Sequence, residues 1–285
     1  IRASIRFKHF KKTYDENILD IKGGLNDVVM NNSPIDIDKL IEGTNEILTA
    51  NRNSLQLFDM LHSMRQFDDL TYVHSVNVAL IASILGQWLK FSEKDIRILT
   101  ISGLLHDIGK IMIPNEILTK PGKLTVAEYN IMKQHVNFGY EKVKNQNIDI
   151  RIKEACLLHH EKCDGTGYPF GLKSDHIPAV AKIIAIADVY DAMTSARVYR
   201  GALCPFEVID TMYKDAFTKF EPEYILPFLK NVASSYINND VRLSDGRIGK
   251  VVLINENALS LPIVQCEDEF IDLSKTRGLT VSAIL

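Results

Sequence analysis

The sequence lacks three features that would each place it in a particular class of protein. It has only four cysteines in 285 residues, with no C-x-x-C pair, which argues against a disulfide scaffold and a thiolate zinc site. Its formal net charge of −3 excludes the overall basic field that holds long nucleic acid. No apolar run approaches the roughly 20 residues of a membrane-spanning helix, and no signal peptide opens the chain. A soluble chain in a reducing, cytoplasmic setting is therefore expected.

The composition is that of an ordinary globular protein. Hydrophobic residues make up 46% of the chain, enough to bury one main core with a small appended unit. The first residue is Ile1, and the sequence leaves open whether a sensor or a membrane region precedes it.

Hydrophobic periodicity divides the chain into three expected regions. In residues 1–68, apolar residues from Ile37 onward recur at steps of three to four, which predicts one or two amphipathic helices. Their apolar face has two interpretations, a homodimer contact or a cover for the core of the next region. Helical periodicity continues through residues 69–238. In residues 239–285 the pattern alternates around Asp245 and Gly246, which predicts a small β-hairpin unit. The predicted fold class is mainly α.

Several helix starts in the central region have recognisable signals. Ser92 with Asp95, and Thr125 with Glu128, have the spacing of capping boxes, in which a short side-chain oxygen accepts from exposed amides. Pro205 suits a first helical turn, because no amide hydrogen is needed there. These signals support an all-α centre.

An unusual set of histidines and aspartates lies in the same region. Six of the eight histidines fall between His74 and His176. The candidate metal ligands are His74, His106, Asp107, His135, His159, His160 and Asp188. Imidazole and carboxylate suit iron, manganese, zinc and similar divalent ions. Seven ligands, one of them a bridging carboxylate, would fill two adjacent sites, as two-metal phosphoester hydrolysis requires. We therefore expect two divalent ions, with iron or manganese favoured.

The surroundings of these residues strengthen the metal interpretation. Asp188 lies in an apolar stretch, where a buried carboxylate needs a cation as partner. His106 and Asp107 are adjacent, so both reach one ion only near a helix end or kink, which Gly109 would permit. Each residue alone has an ordinary explanation, such as a core histidine or an aspartate paired with arginine. The joint occurrence, expected on helices of one domain, favours a metal site.

In their order along the chain these residues resemble the HD-GYP family, a branch of the HD superfamily of metal-dependent phosphohydrolases. The motifs are T-Y-V-H-S around His74, H-D-I-G-K at 106–110, H-V-N-F-G at 135–139, H-H-E-K-C-D-G-T-G-Y-P-F-G-L at 159–172 and D-V-Y-D-A-M-T-S-A-R-V-Y-R at 188–200. The resemblance extends from about Asp69 to Ser235, and such a series of motifs is far more specific than an H-D dipeptide. It implies an HD-type helical bundle, with residues 69–238 as the catalytic domain.

The family pattern implies how the ligands divide between two ions. One ion would be held by His74, His106, Asp107 and Asp188, and the other by His135, His159 and His160, with Asp107 bridging. The resembled family also includes members with a three-metal arrangement, in which a glutamate four residues before the first histidine adds a ligand. That position here is Leu70. On a continuous helix Asp69 would be rotated about 140° from His74, so two ions are expected.

The resemblance also implies roles for residues beside the metals. Lys110 would stabilise charge on the scissile phosphate. Asp191 would orient a ligand histidine or a bridging water and is counted among the substrate-binding residues. Arg197 and Arg200 would clamp the substrate, and Tyr168 of the G-Y-P loop would face it. Three of these have an ordinary alternative: Lys110 could simply close a helix, the arginines could be a surface pair, and the loop could be a structural turn.

The implied function is hydrolysis of a cyclic dinucleotide, above all cyclic di-GMP, to pGpG, with further cutting to GMP left open. Asp107 and Lys110 would take part in catalysis, and the two ions would activate the attacking water. One alternative is a regulatory module that binds a cyclic dinucleotide without turnover, which the complete ligand set disfavours. The other is a different HD-domain phosphohydrolase or di-iron oxygenase, which the G-Y-P loop and the arginine pair disfavour.

Overall fold

The computed structural model describes residues 5–51, 53–64, 70–195 and 201–285. Within these residues the protein is mainly helical, so the predicted fold class is confirmed. The helices are α1 (Ile5–Met30), α2 (Ile37–Ala50), α3 (Ser54–Met64), α4 (Leu70–Trp88), α5 (Glu93–Leu105), α6 (Asn115–Leu118), α7 (Val126–Met132), α8 (His135–Val143), α9 (Ile150–Leu158), α10 (Ala179–Thr194), α11 (Pro205–Asp215) and α12 (Pro222–Ser235). A short 3₁₀ segment, Ile108–Met112, follows α5.

The C-terminal part is a five-stranded antiparallel sheet in the order β4-β3-β2-β1-β5. Its strands are β1 (Asp240–Leu243), β2 (Ile248–Leu253), β3 (Ile263–Cys266), β4 (Glu269–Asp272) and β5 (Val281–Ile284). The β1-β2 hairpin turns where the alternation predicts, with Gly246 at φ +93°. The predicted small β unit is confirmed, and its sheet also includes β5, which pairs with β1 across a long stretch of chain. Local alternation does not show such pairing.

The helix starts predicted from the sequence are present. The side chain of Ser92 accepts from the amide of Asp95 at the start of α5. Thr125 and Glu128 form a reciprocal capping box at the start of α7. Pro205 occupies the first turn of α11. Local side-chain chemistry therefore sets these boundaries.

The N-terminal helices are packed onto the rest of the protein. The face of α2 that carries Leu40, Ile41 and Ile47 is buried, as the core-covering interpretation requires. On α1, Phe10 and Tyr14 are buried in the same hydrophobic core cluster, which extends into the C-terminal sheet. Because one core joins all three regions, the division at residues 68 and 238 stays a prediction.

Helices α4 and α5 form the centre of the bundle. Gly103 on α5 lies so close to α4 that a Cβ there would come within 2.4 Å of the Cα of Ala79. This close packing brings the start of α4 beside the end of α5, where His74 and His106 lie. Among the described helices, none combines the length and apolar character needed to cross a membrane.

Candidate metal centre

The seven candidate ligands come from five places in the fold. His74 lies on α4, His135 begins α8, and Asp188 lies on α10. His106 and Asp107 follow the last residue of α5, while His159 and His160 follow the last residue of α9. Four of the seven thus stand where a helix ends, as expected for the adjacent pair His106 and Asp107, whereas the histidine pair after α9 was expected on a helix. A helix end lets adjacent side chains converge, as the H-D pair requires.

The ligands fall into two groups, and within each group the ligand atoms all lie within 4.8 Å of one another. One group holds His74, His106 and Asp188, and the other holds Asp107, His135, His159 and His160. This grouping was found among the described residues. Asp107 falls in the group of His135, His159 and His160, whereas the resemblance implies that it serves both ions, so the division of the ligands between two ions stays a prediction.

Asp107 lies between the two groups and faces both. Its Oδ2 atom lies 3.2 Å from Nε2 of His106 and 3.6 Å from Nε2 of His74. Its Oδ1 atom lies 3.2 Å from Nε2 of His135 and 3.7 Å from Nε2 of His159. One carboxylate thus presents a separate oxygen to each group, which is the geometry of a bridging ligand.

Four of the histidines are held by their Nδ1 atoms. Nδ1 of His106 donates to the carbonyl of Gly103, at 2.7 Å, and Nδ1 of His135 donates to that of Met132, also at 2.7 Å. Nδ1 of His159 bonds to carbonyls within α9, and Nδ1 of His74 lies 2.7 Å from Oδ2 of Asp191. A bond at Nδ1 fixes the ring and directs Nε2 into the centre, as is typical of metal-binding histidines.

The donor set fits divalent metal ions. Among the described residues, Nε2 of His106 and Oδ1 of Asp107 are buried and have no hydrogen-bond partner. Buried polar atoms without partners are rare, and an ion is one of the few explanations. Because the set contains nitrogen and oxygen donors only, iron, manganese or zinc would suit it, and thiolate-specific chemistry is excluded.

The charges of the site are strongly coupled. Burial alone would lower the pKa of His74, but hydrogen bonds to Asp188 and Asp191 outweigh it and raise that pKa to about 9. Burial lowers the pKa of His159 to about 4. Burial would raise the pKa of Asp107, yet the charges of His106 and Lys110 hold it well below its usual value. At neutral pH, with these pKa values, His74 is therefore protonated and His159 is neutral.

The 3₁₀ segment after Asp107 packs directly against α8. A Cβ at Gly109 would come within 1.9 Å of the carbonyl oxygen of His135. Only glycine allows this approach, which places Asp107 beside His135. Gly109 therefore helps to position Asp107 by allowing this close packing, in addition to lying just after the end of α5.

The G-Y-P loop covers one side of the centre. The ring of Tyr168 is half-buried and stacks on His160, with centroids 4.7 Å apart and planes at 30°. Gly165 has φ +82°, and a Cβ at Gly167 would come within 2.5 Å of the Cα of Glu161. The loop thus carries Tyr168 to the edge of the second ligand group.

Glu161 holds this loop and was not anticipated from the sequence. Its side chain is buried, and it accepts from the backbone amides of Phe170 and Gly171 through Oε1 and of Leu172 through Oε2. The only signal in the sequence was its position directly after the histidine pair, because its burial is visible only in the structure. Asn77 was also missed, although it lies one helical turn after His74 and donates to Asp191 at 3.0 Å.

The remaining predicted site residues have different positions. The amino group of Lys110 donates to Oδ2 of Asp107 and is partly buried, so it lies at the edge of the centre. Asp191 contacts His74 and is buried, which agrees with an orienting role more directly than with substrate contact. Arg197 and Arg200 lie outside the described residues, as does Asp69.

Comparison with known proteins gives a matching family and several relatives. Residues 42–224 match the model of the HD domain family. A cyclic di-GMP phosphodiesterase of Pseudomonas aeruginosa is 36% identical, over 71% of this chain and 49% of its own length. A 3′3′-cGAMP-specific phosphodiesterase of Vibrio cholerae is also 36% identical, over 60% of this chain and 38% of its own length. The chain thus spans less than two thirds of the length of these relatives.

One solved structure has the same overall fold. It is Bd1817, an HDG"Y"P protein from Bdellovibrio bacteriovorus, with a TM-score of 0.64 over 79% of this chain and 72% of that chain. The two sequences are 17% identical. At this identity the comparison shows the arrangement of the helices and nothing finer.

Proposed function

We propose that this chain, which belongs to the HD domain family, hydrolyses a phosphodiester bond of a cyclic dinucleotide. The observation that carries the proposal is Asp107, whose two carboxylate oxygens face two separate groups of ligands. A carboxylate in this position holds two ions next to each other, and paired ions are the usual means of cleaving phosphate diesters. Iron and manganese are the ions we favour.

Two bound ions would supply Lewis acidity and activate the water that attacks phosphorus. The protein's own part is to fix the ligands and to arrange charge around the phosphate. Lys110 lies beside Asp107, so its ammonium group is available to the non-bridging oxygens as negative charge develops there. Tyr168 forms the wall next to His160 and offers a ring against which a base can stack.

We propose cyclic di-GMP as the preferred substrate and pGpG as the first product. Its support is the family pattern of the motifs together with the relative from Pseudomonas aeruginosa, which is named a cyclic di-GMP phosphodiesterase. The equal identity of a relative named as specific for 3′3′-cGAMP makes that compound the main competitor. Arg197 and Arg200 are proposed to bind the substrate phosphates, because guanidinium groups match phosphate oxygens.

The proposal is tested by turnover of a substrate panel. Protein purified without oxygen and loaded with iron or manganese is incubated with cyclic di-GMP, 3′3′-cGAMP and cyclic di-AMP, and products are followed by chromatography. We expect cyclic di-GMP to be cut fastest. Binding of all three without turnover would instead establish a regulatory module, and dioxygen consumption without hydrolysis would establish an oxygenase.

A further inference from the structure

A series of hydrogen bonds leads from the N-terminal helix α1 to the metal centre. The hydroxyl of Tyr14 on α1 donates to Oδ1 of Asn77 on α4, at 2.5 Å. Nδ2 of Asn77 donates to Oδ1 of Asp191 on α10, at 3.0 Å. Oδ2 of Asp191 lies 2.7 Å from Nδ1 of His74. Each of the four residues is at most 4% exposed, so water does not compete for these bonds.

The direction of each bond follows from its chemistry. The amide oxygen of Asn77 only accepts, so the hydroxyl of Tyr14 must donate to it. That bond turns the NH₂ group of Asn77 toward Asp191. The carboxylate of Asp191 accepts from Asn77, from Ser195 at 3.3 Å and from Nδ1 of His74. His74 therefore carries hydrogen on Nδ1 and directs Nε2 toward Asp188, 2.9 Å away.

Tyr14, with which this series of hydrogen bonds begins, lies outside the residues that match the family model. The match begins at residue 42, whereas Tyr14 belongs to α1 (Ile5–Met30), which contributes no ligand to either described group. Tyr14 is also fixed by packing, since its ring lies 5.7 Å from that of Phe10. The buried hydroxyl of Tyr14 therefore does more than help to fill the core, because it is bonded to residues that orient the metal ligand His74.

We propose that Tyr14 is a positioning residue of the metal centre, and that α1 thereby adjusts the metal affinity of the group containing His74. The inference rests on the metal centre of the proposed function but not on its substrate. Partners that orient metal ligands typically change metal affinity by about 10- to 100-fold when they are lost. Because Tyr14 acts through Asn77 and Asp191, its effect should be smaller.

The chain offers a matched control at the same helix interface. The hydroxyl of Tyr72 on α4 donates to Oδ1 of Asn26 on α1, at 3.3 Å. Like Tyr14 it joins α1 to α4 through a tyrosine and an asparagine, but this bond does not lead to Asp191. Replacing either tyrosine by phenylalanine keeps the ring and removes one hydroxyl.

The test measures Mn²⁺ binding to the metal-free full chain by calorimetry, for wild type, Tyr14→Phe and Tyr72→Phe. We expect Tyr14→Phe to weaken one of the two binding steps by roughly three- to tenfold, below the effect of a direct partner. The other step should stay within about twofold, as should both steps in Tyr72→Phe, because neither change contacts those ligands. Equal effects of the two variants, or no effect of Tyr14→Phe, would overturn the inference.

A second variant approaches the same network from α4. Asn77→Ser leaves a side chain too short to join Tyr14 and Asp191, so it should weaken the same binding step. In the double variant with Tyr14→Phe, no further loss is expected, because both changes break one path. Additive losses of Mn²⁺ affinity would contradict a single path through Tyr14 and Asn77. If Tyr14→Phe fails to fold, wild-type Mn²⁺ affinity in both binding steps of Asn77→Ser would overturn the inference. Mn²⁺ binding is read without substrate, so a failure to cut cyclic dinucleotides would leave this result unaffected.

Discussion

Oδ1 of Asp107 lies 3.2 Å from Nε2 of His135, while the other oxygen of the same carboxylate faces His106. The protein brings this about at a helix end, since α5 stops at Leu105 and the next segment packs on α8. The close contact at Gly109 keeps the segment there. The carboxylate of Asp107 therefore faces both ligand groups, one oxygen toward each.

Loss of Asp107 should affect both ions. We expect Asp107→Ala to reduce the metal content of both groups and to lower hydrolysis by at least about 10³-fold, because the bridging ligand and the geometry it sets are lost together. Asp188→Ala is the matched control, since Asp188 belongs to one group only. Metal analysis after anaerobic loading should find one ion retained in Asp188→Ala. Two tightly bound ions in Asp107→Ala would refute the bridging role.

Lys110 should matter for turnover and not for metal content. We expect Lys110→Ala to keep both ions and to lower kcat by about 10²-fold, which is typical when a charge-stabilising donor is removed. The exposed Lys162, just after the histidine pair, provides the control variant Lys162→Ala, which should have wild-type kinetics. Steady-state rates and metal analysis of both variants test this. Wild-type turnover in Lys110→Ala would show that its pairing with Asp107 is structural only.

Metal uptake should release a proton from one group. The pKa of His74 is about 9 in the metal-free protein, so its imidazole is protonated at neutral pH and must lose a proton from Nε2 to bind an ion. Affinity of that group should fall about tenfold for each pH unit below 9. His159, with a pKa of about 4, imposes no such loss on the other group between pH 6 and 8.

Calorimetry at pH 7.5 in two buffers of different ionisation enthalpy measures this proton directly. About one proton per chain should be released from His74 in the affected step. Heats that do not depend on the buffer in either step would contradict the assigned protonation of His74.

Glu161 should hold the loop that carries Tyr168. Glu161→Gln replaces one of the two oxygens that accept from three backbone amides by an NH₂ group, so at least one amide loses its acceptor and we expect a loss of about 1–3 kcal/mol in the free energy of unfolding. KM should rise while both ions are retained, because Tyr168 loses its position over His160. The exposed Glu141 gives the control Glu141→Gln. Equal unfolding transitions and equal KM in the two variants would show that the three bonds are dispensable.

The sequence predicted the metal centre better than the surroundings of the centre. The ligands could be found because histidines and buried aspartates are rare in apolar helices, and their order followed a known family. The same motif pointed to Lys110, which lies beside Asp107 and whose catalytic role stays a prediction. Glu161 and Asn77 escaped notice because single polar residues are common, and only the fold shows that one receives three amides and the other contacts Asp191.

Long-range contacts account for most of what the sequence did not reveal. Tyr14 and Asn77 are separated by 63 positions, and no local periodicity links them. The pairing of β5 with β1 is of the same kind. Helix starts at Ser92 and Pro205, by contrast, were predictable because the capping interaction is contained in a few neighbouring residues.

The central claim is that two ions held around Asp107 hydrolyse a cyclic dinucleotide. It is tested most directly by titrating metal-free protein with Mn²⁺ under anaerobic conditions and following, in the same samples, bound ions per chain and the rate of conversion of cyclic di-GMP to pGpG. The account predicts that hydrolysis is absent in the metal-free protein and reaches its full rate only when two ions are bound. Full turnover in metal-free protein, or none of any cyclic dinucleotide by protein holding two ions, would contradict it.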